Sequence, residues 1–292
     1  MMTSDAIMLA IEDEIPAVLV DRAGRVQGRI WSPRFGSIAT IRREQIRFAE
    51  TSGATAWVVR HLKLKLSHQC ELLRMVKAEK PRHTTLIQQT IQALNVAAEA
   101  MDALLDKPLS QIEGSLRGIE GPAARRYFTT LGLLLPKRYY FARRSRRPAL
   151  DPFNALLNYV YGMLYNRVEH SLIIAGLDPY LPLLHADGYR RPAFVYDFIE
   201  AYRPWADAVA VRICLDKQLK KSHLQAKDAG LWLSPAGRGL AVETFNNGLL
   251  EKVERHRGAV MRQHALQEQA TDFAQYLLAR GMQLKPDNTL LS

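Results

Sequence analysis

Leu62-Lys63-Leu64-Lys65-Leu66-Ser67-His68-Gln69-Cys70-Glu71-Leu72-Leu73-Arg74-Met75-Val76 is the stretch on which the fold turns. Its leucines and Val76, followed by Leu86, Ile87, Ile91, Leu94, Val96, Met101, Leu104 and Leu105, recur at mixed spacings of three and four, which is helical periodicity. Pro81 and Pro108 mark helix boundaries, Asp151-Pro152 reads as an N-cap followed by a first-turn proline, and Gly176 closes that helix. Helices are expected near 38–78, 83–106, 110–135, 151–176, 192–203 and 236–281, the last broken around Gly258. Before Ile38 the pattern differs. Residues 15–31 hold a β-branched run, a turn at Asp21 to Gly24 and a second run of period two, a hairpin signal. The expected fold is mainly α: a helical lobe over residues 37–292 with a small N-terminal β-remnant over residues 1–36.

The 292 residues carry 40 Lys and Arg against 29 Asp and Glu, a formal charge of +11. That excess suggests a polyanionic partner, nucleic acid or an anionic membrane surface, and argues against acidic partners. Cys70 and Cys214 are the two cysteines, with no Cys-x-x-Cys spacing, so a disulfide framework or thiolate zinc cluster is excluded and a reducing cytosol fits. The start has no basic region before an apolar stretch, and no run of about 18 uncharged apolar residues occurs, so the expectation is a cytoplasmic protein with no membrane partner.

The phosphate-loop, dinucleotide-binding and His-Glu-x-x-His motifs are absent, which removes support for NTPase, Rossmann and zincin chemistry. What remains is Glu120 in Gly118-Ile119-Glu120-Gly121, His185 after Leu181-Pro182-Leu183-Leu184, and the pair Asp197 and Glu200. The pair is three residues apart on an expected helix, so both carboxylates share a face. Each has an ordinary alternative: a solvated or capping glutamate, a satisfied loop histidine, surface decoration. Taken together, carboxylates plus an imidazole in a basic chain make a hard-ligand Mg²⁺ or Mn²⁺ site. The charge run from Lys137 to Arg147 surrounds Tyr139, Tyr140 and Phe141; it is either a solvated loop or a nucleic-acid contact in which guanidinium forks meet phosphates and rings stack on bases.

Four blocks carry a resemblance: Leu116 to Phe128 (LRGIEGPAARRYF), Arg146 to Tyr159 (RRPALDPFNALLNY), Gly176 to His185 (GLDPYLPLLH) and Arg191 to Pro204 (RPAFVYDFIEAYRP). In this order they resemble the CRISPR-associated spacer-acquisition integrase, the universal core protein of CRISPR adaptation, over about residues 15–215. The resemblance implies that Glu120, His185 and Glu200 bind Mg²⁺ or Mn²⁺ and that Asp197 completes the catalytic set; it implies no place in the metal site for Glu169, which is read as structural. It implies integration of short DNA fragments by transesterification, with DNA, a second copy of the chain and a small ferredoxin-like protein as partners. Arg117, Arg125 and Arg126 are expected beside Glu120, and Arg143, Arg144, Arg146 and Arg147 are expected to grip DNA. Relative to the family, the chain opens inside the N-terminal β-domain, which weakens the expectation of a homodimer. A non-catalytic DNA-binding assembly subunit, a stand-alone metal-dependent nuclease and a related transposase are the alternatives.

Overall fold

The computed structural model describes residues 3–13, 15, 17–21, 24–30, 37–185, 192–255 and 258–283. Trp31 at the end of the expected hairpin, the boundary at residue 36, Arg191 and the tail after residue 283 lie outside the described residues.

The hairpin forms where alternation predicted it. β1 (Ala17–Val20) pairs antiparallel with β2 (Val26–Ile30), with Ala17 opposite Ile30, an irregularity at Leu19/Val20, and Gly24 at φ 77 in the turn. It is preceded by a helix that was not expected, α1 (Ser4–Glu12), where the Thr3 side chain accepts from the backbone N–H of Ala6 and no residue is buried.

The long helix expected over 38–78 is two helices. α2 (Ser37–Ala49) stops where Thr51 turns extended, and α3 (Ser52–Glu79) starts beyond it. Apolar periodicity runs across this break because both helices face one core, so the pattern does not reveal it. α4 (Thr84–Ala100), α5 (Leu109–Leu134) and α6 (Pro152–Ile174) match expectation, α6 with Asp151 Oδ1 accepting from Asn154 N–H at 2.8 Å and Gly176 at φ 83 past its end. Pro204 does not end helical structure. α7 (Ala193–Ile199) runs through a 3-10 turn (Glu200–Tyr202) into α8 (Arg203–Leu215), where the proline sits in the first turn and leaves no needed N–H missing.

The C-terminal helix is likewise split. α9 (Pro235–Leu250) and α10 (Arg262–Gln283) flank a hairpin of β5 (Lys252–Arg255) and β6 (Gly258–Met261), and another hairpin, β3 (Leu224–Lys227) with β4 (Gly230–Leu233), precedes α9. Strands this short carry too little alternation to stand out.

One apolar core runs from Ile41 in α2 to Leu277 in α10, with α3 packed against α4, α5, α8 and the Glu200–Tyr202 turn, and α6 against α7, α8, α9 and α10. Among the described residues no helix is long and apolar enough to cross a membrane.

Candidate active site

α5 carries Glu120, and the turn between α7 and α8 carries Glu200. They meet across α3 at a residue that no sequence motif singles out: Lys65 Nζ donates to Glu120 Oε1 at 2.5 Å and to Glu200 Oε2 at 2.6 Å. Arg203, the first residue of α8, donates from Nε to the other Glu200 oxygen, Oε1, at 2.7 Å. The result is a wedge of two carboxylates and two cations in which the Lys65 side chain is 7% exposed, that of Glu200 12% and that of Glu120 32%. Burial works to raise the Glu200 carboxyl, but Arg203 and Lys65 outweigh it and hold it down at about 2. Burial alone lowers Lys65, yet Glu200 and Glu120 leave it above the usual lysine value. Three largely buried charges and the part-exposed Glu120 are tolerated because each has an opposite partner.

Asp197 shares a face with Glu200, as their spacing suggests, but its hydrogen bonds go to the His185 loop. Its carboxylate is fully occupied: Oδ2 accepts from the N–H groups of Leu183 (2.6 Å) and Leu184 (3.1 Å), and Oδ1 from the His185 N–H (3.0 Å) and lies 2.6 Å from His185 Nδ1. Asp197 thereby holds the loop that presents His185 and orients the imidazole, leaving Nε2 as the outward nitrogen. From the other side Gln45 of α2 braces the same loop, its Nε2 donating to the carbonyls of Asp178 and Leu181, both at 2.9 Å. Asp197 and Glu200 do line one small cavity with Trp57, Val58, His61, Leu62 and Leu184, roomy enough for about one water molecule. His61 stacks on Trp57 and burial drives its imidazole down to about 3, so it stays neutral.

The structure thus brings Glu120 and Glu200 to one cation and ties His185 to Asp197. Among the described residues no three His, Cys, Asp or Glu side chains form a single metal-holding group. The donor chemistry nevertheless fits a hard divalent ion: two carboxylates already converge on one positive charge, and a carboxylate-oriented histidine is the usual form of an imidazole ligand. Glu169 sits on α6, where burial raises its carboxyl. His61, Lys65 and Gln69 repeat at four-residue steps, a polar stripe that in sequence reads as a solvent face, yet all three are buried.

Behind the wedge lies Asp207 of α8, which accepts from Tyr161 Oη at 2.6 Å and Tyr127 Oη at 3.0 Å. Burial pushes its carboxyl up to about 6 against the pull of those hydroxyls. Arg203 lies over the Tyr161 ring, 5.0 Å from its centroid, which links this network to Glu200.

The arginines divide. Arg125, Arg126, Arg143, Arg146 and Arg147 are exposed, and Arg117 is exposed and paired with Glu113 one turn earlier. Arg144 is drawn inside, hydrogen-bonded to Asn154 and Asn158 and flanked by the rings of Phe128 and Tyr161. The aromatics of this segment divide too: Tyr139 and Phe141 are core residues, with Phe141 stacked on Phe153 at 4.4 Å and Tyr139 Oη donating to the Leu219 carbonyl at 2.7 Å, so only Tyr140 remains open to a base. Gly132 permits this docking, because a Cβ there would stand 2.6 Å from the Phe141 carbonyl oxygen.

Paired acids around a cation, a histidine set by a carboxylate and exposed arginines suit a polyanionic substrate such as a phosphodiester. Residues 1–247 match the family described as CRISPR associated protein Cas1, and the chain belongs to that family. It is 27% identical over 267 residues to CRISPR-associated endonuclease Cas1 1 of Archaeoglobus fulgidus, an alignment covering 88% of this chain and 77% of that protein. The fold is shared with a casposase bound to integration product (TM-score 0.74, 20% identity, 95% of this chain and 76% of that one). A partial Cas6-RT-Cas1–Cas2 complex shares it as well (TM-score 0.76, 24% identity, 95% and 82%).

Proposed function

We propose that this chain is the integrase of CRISPR adaptation and joins short DNA fragments to the array by metal-dependent transesterification, with residues 37–292 as its catalytic unit and residues 1–36 as a separate N-terminal β-unit. The observation that carries the site assignment is the convergence of Glu120 and Glu200 on one buried cation. These two carboxylates and His185 would hold Mg²⁺ or Mn²⁺, which when bound neutralises charge at the phosphate and favours ionisation of the attacking hydroxyl. Asp197 keeps the His185 ring turned, and Arg203 fixes the second oxygen of Glu200.

The nucleophile is the 3′-hydroxyl of the incoming DNA, so no protein nucleophile is needed. Cys70 and Cys214 agree with that: both are buried, and burial raises both thiols. Arg125, Arg126, Arg143, Arg146 and Arg147 supply exposed positive charge for DNA, with Arg117 shared with Glu113 and Arg144 holding the segment in place. The solved complex with Cas2 supports a Cas2 partner, and a small ferredoxin-like fold for it and pairing with a second copy belong to the same reading.

Strand transfer with free and blocked 3′ ends tests it. Integration needs the free hydroxyl and disappears in Glu120→Ala and His185→Ala. Hydrolysis of the blocked substrate instead identifies a nuclease, and binding without either reaction identifies an assembly subunit.

A further inference from the structure

We infer that Lys65 is a resident counter-ion, a positioning residue that holds Glu120 and Glu200 together in the metal-free protein and that a divalent cation must displace. The inference rests on the metal reading given above. Its basis is the crowding of acceptors. Arg203 takes Glu200 Oε1, so the oxygens that face each other across the wedge are Glu120 Oε1 and Glu200 Oε2, and Lys65 Nζ contacts both. An ammonium at hydrogen-bond distance and a metal ion at roughly 2.0–2.6 Å need the same oxygens and repel one another. They cannot share the wedge.

Lys65 cannot be dismissed as a surface lysine that happens to reach an acid. It is 6% exposed, enters from the middle of α3 and is flanked at four-residue steps by the buried His61 and Gln69. Removing it leaves two carboxylates facing each other in a largely buried site with Arg203 as their nearby cation, a state that costs stability until another cation arrives. Competition of this kind is reciprocal: as strongly as Lys65 lowers metal affinity, bound metal loosens Lys65. A lysine that merely scaffolds the carboxylates has the opposite signature, since its loss splays the ligands and weakens metal binding.

The test uses Mn²⁺ alone with the full chain and reads bound Mn²⁺ by electron paramagnetic resonance. Lys65→Met is expected to bind Mn²⁺ about tenfold more tightly than the unaltered protein, to melt lower in chelator, and to gain more in melting temperature when Mn²⁺ is added. A second measurement needs no variant. Amine labelling mapped by mass spectrometry should find Lys65 protected in chelator and modified once Mn²⁺ saturates the site, with no such change in Glu120→Gln. Equal or weaker Mn²⁺ binding by Lys65→Met, or Lys65 still protected in the Mn²⁺-saturated protein, overturns the inference; if Glu120→Gln has also lost Mn²⁺ binding, the metal reading stands without it. Mn²⁺ binding that is the same in Glu120→Gln as in the unaltered protein removes both.

Discussion

The wedge around Lys65 and the segment from Lys137 to Arg147 handle charge in opposite ways. In the wedge, Glu120, Lys65, Glu200 and Arg203 are largely withdrawn from water and each is matched by an opposite charge within hydrogen-bond distance. In the segment, Arg143, Arg146 and Arg147 stand in solvent, while its rings Tyr139 and Phe141 and its Arg144 are spent on anchoring it. Buried charge is fixed in position and so can organise a reaction centre. Exposed charge is screened and mobile, so it attracts a polyanion without fixing any atom of it.

Breaking the wedge should have the largest effect. Glu120→Ala and Glu200→Ala are expected to abolish strand transfer in a gel assay while DNA affinity, carried elsewhere, is retained; a matching loss of affinity would erase the division of labour between the two regions. Next comes the arm beside the wedge. Asp197→Asn keeps the volume but removes an acceptor oxygen from His185 and its loop, and should cost about 10–100-fold in strand-transfer rate, as is usual when the group orienting a ligand is removed.

Within the basic segment the two kinds of arginine should separate. Replacing Arg143, Arg146 and Arg147 together by Ala should leave the melting temperature unchanged and flatten the log–log salt dependence of DNA binding by about 0.9 for each phosphate that is no longer neutralised. Arg144→Ala should instead lower unfolding free energy by about 1–3 kcal/mol, because Asn158 Oδ1 loses its donor and Asn154 Oδ1 keeps only the Ser145 N–H. A salt slope that responds to Arg144→Ala alone would show that it, too, faces DNA.

The last prediction concerns the pH dependence of unfolding. His61 is held at about 3 against its usual 6.5 and Glu200 at about 2 against 4.5, so in both cases the unfolded chain binds the extra proton, and stability is lost as pH falls through 6.5 to 3 and through 4.5 to 2. Asp207 runs the other way: held at about 6 against 3.8, it favours the folded state as pH falls across that window. The denaturant midpoint should therefore change gently between pH 6 and 4 and fall steeply below. Asp207→Asn should steepen the upper part of the curve.

Several features are legible in the sequence alone. Alternation placed the N-terminal hairpin, and Asp151-Pro152 with Gly176 placed α6 within a residue or two at each end. The breaks at Thr51 and Pro204 and the hairpins at 224–233 and 252–261 were not, because a core-facing pattern continues across a turn as readily as along a helix. Glu120, His185, Asp197 and Glu200 stood out through the order of the four blocks, not through spacing.

The sequence by itself determined the helical class and the basic character, since periodicity and charge are local properties; Glu120, His185, Asp197 and Glu200 it offered only through a family resemblance. It could not decide that Asp197 serves His185, that Arg144 is committed to Asn154 and Asn158, or that Lys65 sits between Glu120 and Glu200. Those partners are 12, 10 and 14, and 55 and 135 residues away along the chain. Which charge meets which is set by how α3, α5 and the Glu200–Tyr202 turn pack, and only burial in that packing turns a pair of opposite charges into a fixed contact.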